Sequence, residues 1–204
     1  AVYNAANRAV SFTSQDGNIV VECGYDDQGR RYMKKVTVNG TVASHERYLY
    51  RGYLQIAALD MLNSRNVLRT LLWDPLEEVA TRPLALVRDN ALYCYGIDFN
   101  KNVTEVFDEE GSIAAAYDYS PYGQVASTGD LVQPVQWSSE MNDGELSLVY
   151  YNYRYYHPSD GRWINRDPIS EQGGWNLYGF VKNCSVSSTD KRGLKKAEPL
   201  QDYW

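Results

Sequence analysis

Hydrophobic and polar residues alternate along this chain with a period of two over several segments. Tyrosines repeatedly occupy every second position, so that their side chains share one face: Tyr48 and Tyr50, Tyr93 and Tyr95, and Tyr151, Tyr153 and Tyr155. A period of two is the pattern of a β-strand that buries one of its faces. The pattern therefore predicts an all-β protein.

A short sequence unit recurs at residues 25–38, 107–117 and 117–125. Each copy has an aromatic residue and an aspartate, then a spacer and a glycine, then a strand-like run. Aspartate can accept a backbone hydrogen bond at a turn and glycine can adopt a positive φ, so the unit predicts a β-hairpin. One hairpin is only marginally stable, and neighbouring hairpins must pack to build a core. We predict a strongly twisted antiparallel sheet of such hairpins.

Residues 57–72 allow two interpretations. Leu59, Leu62 and Leu68 occur at loosely helical spacing, which is compatible with a helix. Residues 63–66, however, read Asn-Ser-Arg-Asn, a turn-forming sequence between two apolar runs. We favour strand, turn and strand for this segment.

Composition and charge argue against several classes of function. The chain has 18 tyrosines and 4 phenylalanines, a balance that suits a half-buried pleated surface. The net charge is −6 and no run of Lys or Arg is longer than two residues, which argues against nucleic-acid binding. No stretch approaches the roughly 20 apolar residues of a membrane-spanning helix. Without an initiator methionine or a signal-peptide pattern, we expect a fragment or a processed product.

Candidate metal ligands and nucleophiles are sparse. Cys23, Cys94 and Cys184 are widely spaced and odd in number, which favours buried free thiols over metal ligands or a disulfide framework. His45 and His157 have no Cys or Asp at ligand spacing, and no phosphate-binding loop, dinucleotide glycine motif or nucleophile elbow is present. We expect no metal, no cofactor and no small-molecule enzyme.

Four short motifs follow one another in the last third of the chain. They are Arg-Tyr-Tyr-His-Pro at residues 154–158, Gly-Arg-Trp at 161–163, Arg-Asp-Pro-Ile at 166–169 and Gly-Gly-Trp-Asn-Leu-Tyr at 173–178. In this order and spacing they closely resemble the Rhs repeat-associated core domain, and residues 97–125 resemble the YD-repeat segment that precedes it in that family. The resemblance divides the chain into a YD-repeat hairpin array (1–125), a connecting loop (126–136), the core (137–194) and a short tail (195–204).

The resemblance also implies a function. YD repeats of this family form hairpin strips that wind into a hollow shell, the core closes one end, and the shell commonly encloses a C-terminal toxin. We therefore expect a structural segment of a secreted or cell-surface bacterial protein. Its expected partners are other YD-repeat segments of the same or a longer chain, and a toxin cargo or export machinery. An alternative function is a carbohydrate- or protein-binding surface built from the Tyr and Trp stripes, which are otherwise the core of the sheet.

Many members of this family cleave themselves with paired aspartates, which makes an aspartate autoprotease a further alternative. Matched residue by residue, the resemblance assigns Asp167 and Asp190 as the pair, with Arg166 stabilising charge and Leu194–Lys195 as the scissile bond. Two carboxyl groups held close together share a proton, so that one acts as base and the other as acid.

The chain departs from the family pattern beside this candidate pair. Asp190 is followed by Lys191 where the family has proline, and a neighbouring ammonium lowers the pKa of a carboxyl and makes it a poor proton donor. We therefore predict that the chain stays intact, and that Lys191→Pro gives at most weak cleavage. The competing interpretation is that Asp167 caps a turn before Pro168 and Asp190 lies in an ordinary turn.

Overall fold

The computed structural model describes residues 1–76, 82–173, 175–185, 188, 190, 193 and 194. Within these residues, twelve consecutive strands form one antiparallel sheet in which each strand pairs with its neighbours in the chain. We call it the wall sheet. Its strands are β1 (Val2–Tyr3), β2 (Ala9–Thr13), β3 (Ile19–Tyr25), β4 (Arg31–Val38), β5 (Thr41–Arg51), β6 (Leu54–Asp60), β7 (Asn66–Trp73), β8 (Pro83–Arg88), β9 (Ala91–Ile97), β10 (Val103–Phe107), β11 (Ile113–Tyr119) and β12 (Val125–Gly129). The predicted fold class, an antiparallel array of hairpins, is confirmed.

The recurring aspartate–glycine unit forms the hairpin turns. Oδ1 of Asp26 accepts the Arg30 N–H at 2.8 Å, and the Gly29 N–H donates to the Asp26 carbonyl oxygen. Gly29 has a φ of +77°, a conformation that glycine adopts without a steric penalty. The turn from Asp108 to Gly111 repeats this arrangement. Each unit thus fixes a turn locally and delivers two paired strands.

Residues 57–72 adopt the predicted strand, turn and strand. They contain the end of β6 and most of β7, which pair with each other. Asp60 accepts the Leu62 N–H, and Ser64 and Arg65 have positive φ values of 54° and 62°. Positive φ values are incompatible with an α-helix through this turn. The interpretation of residues 57–72 as strand, turn and strand is confirmed.

Strand β12 extends into the predicted connecting loop. Residues 126–129 pair with β11, for example Ser127 with Tyr117. All five β12 residues are exposed. Residues 130–140, which include a short 3₁₀ helix at Trp137–Ser139, then lead to a second sheet.

The second sheet, which we call the core sheet, has four antiparallel strands. They are β13 (Met141–Asp143), β14 (Leu148–Tyr151), β15 (Arg154–His157) and β16 (Arg162–Trp163). Two further 3₁₀ helices follow at Ser170–Gly173 and Val181–Asn183. The core sheet has two different faces, because successive strand residues point to opposite sides.

One face of the core sheet packs against the wall sheet. Tyr150 and Tyr155, which lie opposite each other, share a hydrophobic cluster with Leu71, Leu86 and Val106 of the wall sheet. The other face carries a second, mainly aromatic cluster: Trp137, Val149, Tyr151, Tyr156, Trp163, Phe180 and Val181. These tyrosine and tryptophan side chains are buried, which supports their interpretation as the core of the fold.

Replacing Gly29 with alanine should destabilise the protein more than the same change at Gly40. Both glycines have a φ of +77°, so the backbone strain is matched. A Cβ atom at Gly29 would collide with Nη2 of Arg8, whereas nothing lies within 4 Å at Gly40. Arg8 donates to the carbonyl oxygens of Gly29 and Asn152, and displacing this partly exposed guanidinium from them should cost about 1 kcal/mol. Urea unfolding of both variants measures the difference, and equal losses would contradict this role of Arg8.

Candidate functional site

The candidate site is built around Arg154, the first residue of β15. In the core sheet Arg154 lies opposite Tyr151, so its side chain points to the face turned away from the wall sheet. There its guanidinium lies 4.1 Å from the centroid of the Trp163 ring, and only 3% of its side chain is exposed. A buried cation of this kind requires acceptors for its N–H groups.

Both aspartates that the sequence singled out bind this arginine. Nη1 of Arg154 lies 2.9 Å from Oδ2 of Asp167, and Nη2 lies 3.5 Å from Oδ2 of Asp190. Nε of Arg154 donates to the carbonyl oxygen of Gly193. Burial lowers the pKa of Arg154, and the two carboxylates oppose that effect. One guanidinium thus joins two segments that are 23 residues apart in the chain.

Each aspartate also caps a turn with its other oxygen. Oδ1 of Asp167 accepts the Ile169 N–H at 3.0 Å. Oδ1 of Asp190 accepts the N–H groups of Gly193 and Leu194 at 2.8 and 3.1 Å. Each aspartate therefore caps a turn with Oδ1 and binds Arg154 with Oδ2, so the two roles are compatible.

The structure places Arg166 elsewhere. It is exposed, and its carbonyl oxygen accepts a hydrogen bond from Nδ2 of Asn7. The guanidinium between the carboxylates belongs to Arg154, which the sequence analysis did not select. The available signal was a charged residue at the start of an otherwise aromatic, strand-like run, a position at which arginine is buried only when paired.

The backbone before the predicted scissile bond lies at this site. The Gly193 carbonyl is held by Arg154, and the half-buried Leu194 donates its N–H to Asp190. Lys195, on the other side of that bond, lies outside the described residues, as does Lys191. The predicted influence of Lys191 on Asp190 therefore stays a prediction.

A second buried charge cluster joins the two sheets. Arg31 and Lys34 of β4 lie 2.6 and 2.7 Å from the carboxylate of Asp143 in β13, whose side chain is 0% exposed. Arg31 also donates to the hydroxyl of Tyr155, and Lys34 to the half-exposed Glu145. Burial raises the pKa of Asp143, but Arg31 and Lys34 more than offset this and hold it below the ordinary value. This cluster fixes the core sheet on the wall sheet.

The remaining candidate ligands do not converge. Cys23 is buried, as expected, whereas Cys94 and Cys184 are exposed, contrary to the expectation of buried thiols. Among the described residues, no three His, Cys, Asp or Glu side chains form a group that could hold a metal ion.

Within the same part of the chain, no helix has the length and apolar character needed to cross a membrane.

A family comparison identifies this architecture. The sequence matches the Teneurin YD-shell family over residues 2–184, nearly the whole chain. The chain belongs to the teneurin YD-shell family. The resemblance of its motifs to Rhs and YD-repeat proteins is thereby confirmed, and the chain is a structural segment of a YD shell.

The relatives of this YD-shell chain include toxin components. It is 28% identical to double-stranded DNA deaminase toxin A of Burkholderia cenocepacia, over 98% of this chain and 16% of that protein. It is 29% identical to toxin subunit YenC2 of Yersinia entomophaga, over 78% of this chain and 16% of the subunit. The chain therefore spans about a sixth of the length of either relative.

Solved structures contain the same YD-shell fold. The crystal structure of TcdB2-TccC3-TEV matches 95% of this chain with a TM-score of 0.73 and 24% identity. The Photorhabdus luminescens Tc holotoxin pore with the TccC3-D651A mutation matches 100% of it with a TM-score of 0.74 and 24% identity. The chain covers 10% of each of those chains. At this identity the likeness shows the fold.

Proposed function

We propose that this chain is a YD-repeat segment that helps to build or close a secreted bacterial shell that delivers a toxin. Residues 1–125 act as the hairpin array and residues 137–194 as the core that closes against it. The observation that carries the proposal is the core sheet, which covers one face of a strip whose strands follow chain order. The toxin names of the two relatives support the link to toxin delivery.

The edges of the wall sheet suggest its partners. Among the described residues, β1 pairs only with β2, and β12 pairs only with β11. An edge strand presents free backbone N–H and C=O groups that can pair with another strand. We propose that further YD-repeat strands pair at these edges, and that a toxin cargo or export machinery contacts the assembled shell.

Self-association tests the open edges. The purified chain should associate as its concentration rises, because the free edge of the exposed strand β12 can pair with a strand of another copy. Ser127→Lys places a charge on this edge and should reduce the association, as measured by light scattering. Gln15→Lys adds the same charge at an exposed turn residue and should not. A wild-type chain that remains monomeric at high concentration would contradict the proposal.

Self-cleavage after Leu194 is a second candidate function, and one specific observation favours it. Arg154 binds Asp167, Asp190 and the Gly193 carbonyl at once, and Asp190 binds the Leu194 N–H. Two carboxylates and a cation are thus concentrated at the backbone next to the scissile bond. A carboxylate in such a position can activate a water molecule, and a guanidinium can stabilise an oxyanion.

Intact-mass spectrometry shows whether the chain is cleaved after Leu194 or stays intact, as the lysine at position 191 predicts. Cleavage gives a species that ends at Leu194 in the wild type or in Lys191→Pro, and that is absent from Asp190→Asn and Asp167→Asn. Arg166→Gln is the matched control, because this arginine is exposed and should leave any cleavage unchanged. Intact chains in every variant would leave the site with a structural role alone.

A further inference from the structure

Glu140 lies immediately before β13 and extends the register of the core sheet. Its backbone is extended, with φ −98° and ψ 169°. Met141 pairs with Tyr150, so the next position along the strand places Glu140 opposite Tyr151. Tyr151 in turn pairs with Arg154. Residues that lie opposite each other share a face, so these side chains form one row across the sheet.

The segment that carries Asp190 lies against this row. A Cβ atom added at Gly193 would lie 3.0 Å from the carbonyl oxygen of Tyr151 and 3.3 Å from Cβ of Arg154. Glu140 therefore points to the face at which the two aspartates converge. Nothing in the residues next to Glu140 in the chain indicates that it meets Asp190.

Both aspartates face a cation and backbone N–H donors. Oδ2 of each faces the Arg154 guanidinium, and Oδ1 of Asp190 accepts two backbone N–H groups. A guanidinium and N–H donors stabilise the ionised form of a carboxyl group. If the site needs an acid as well as a base, the acid must be a different group.

Glu140 has the opposite surroundings. It is 4% exposed, and its Oε1 has no hydrogen-bond partner among the described residues. Burial, and then the negative charge of Asp190, raise the pKa of Glu140 well above its ordinary value. Burying a neutral carboxyl group costs far less than burying an unpaired carboxylate. The titratable and charged groups that face Glu140 on the core sheet are Tyr151, Asp190 and Arg154. Glu140 also lines a small cavity together with Tyr50, Tyr53 and Tyr150.

We propose that Glu140, and not Asp167, is the neutral carboxyl group of this site, facing an ionised Asp190. The proposal deepens the self-cleavage function and rests on it for its chemical role. In that reaction water adds to the Leu194 carbonyl carbon and gives a proton to Asp190. The carbon–nitrogen bond to Lys195 then breaks, and the proton that the departing amine requires comes from the neutral carboxyl. Asp190 gains one proton and Glu140 loses one, so the total number of protons on the two carboxyl groups is unchanged.

The pH dependence of stability tests the protonation of Glu140 without any cleavage. A raised folded-state pKa gives stability that is present at low pH and is lost as the pH rises. Glu140→Gln keeps the size and neutrality of the group, so it should match the wild type near pH 4. Above that, the unfolding constant of the wild type should rise relative to the variant by about tenfold per pH unit, up to the folded-state pKa. Glu110→Gln removes an exposed carboxyl and should follow the wild-type curve.

Infrared difference spectroscopy gives a second readout. At pH 7 the wild type should show a carboxylic-acid C=O band that disappears in Glu140→Gln and persists in Asp167→Asn. No such band, or a Glu140→Gln variant less stable than the wild type at pH 7, would overturn the proposal. If cleavage occurs, Glu140→Gln should slow it and change its pH profile. If no variant cleaves, the self-cleavage function fails, while the band and the stability curves still decide whether Glu140 is protonated.

Discussion

Arg154→Leu should destabilise the protein by about 3–5 kcal/mol, the loss typical of breaking a buried ion pair from one side. The change leaves the buried carboxylates of Asp167 and Asp190 without their shared cation. It also removes the donor to the Gly193 carbonyl and the contact with the Trp163 ring. Denaturant unfolding of the purified chain measures this loss.

Two comparisons separate charge from packing at this position. Arg154→Lys keeps the charge but cannot reach three acceptors with a planar fork, so its loss should be substantial but smaller. Adding Asp190→Asn to Arg154→Leu should recover part of the stability, because one uncompensated carboxylate is removed. A loss below about 1 kcal/mol for Arg154→Leu, the size of an exposed pair, would contradict this account of the site.

Asp143→Asn should be comparably destabilising, by about 3–5 kcal/mol, because it leaves the buried cations Arg31 and Lys34 without their shared carboxylate. The folded-state pKa of Asp143 is lowered, so its stabilising contribution is present above the ordinary value of 3.8 and is lost as the pH falls below it. The unfolding free energies of wild type and variant should therefore differ at pH 7 and converge in acid.

Glu145→Gln is the matched control for this cluster. Glu145 also pairs with Lys34, but 43% of its side chain is exposed. Screening by solvent limits such a pair to about 1 kcal/mol or less. Equal losses for Asp143→Asn and Glu145→Gln would mean that the buried cluster does not hold the core sheet on the wall sheet.

The hairpins were predictable because their signals are local. Asp26 and Gly29, three positions apart, supply the acceptor and the positive φ of one turn. Residues 63–66 act in the same way between β6 and β7. The twelve-stranded order then follows, since short turns can join only neighbouring antiparallel strands.

The site was only partly predictable because its contacts are long-range. The family resemblance selected Asp167 and Asp190, but only the register of β14 and β15 shows that Arg154 shares their side of the core sheet. Arg166 stands next to Asp167 in sequence, yet its side chain is exposed. Strand β12 was missed because its sequence, Val-Ala-Ser-Thr-Gly, has no alternation of apolar and polar residues and all five residues are exposed.

Amide hydrogen exchange of β12 tests whether this chain is a shell segment whose sheet continues into further strands. Exchange is read by mass spectrometry on peptides that cover Val125–Gly129, at low and high protein concentration. We expect that the N–H groups of β12 that do not donate to β11 exchange rapidly in the dilute chain and become protected as it associates, whereas the interior strand β4 is protected throughout. Rapid exchange of β12 at every concentration, in a chain that light scattering shows to be associated, would contradict it.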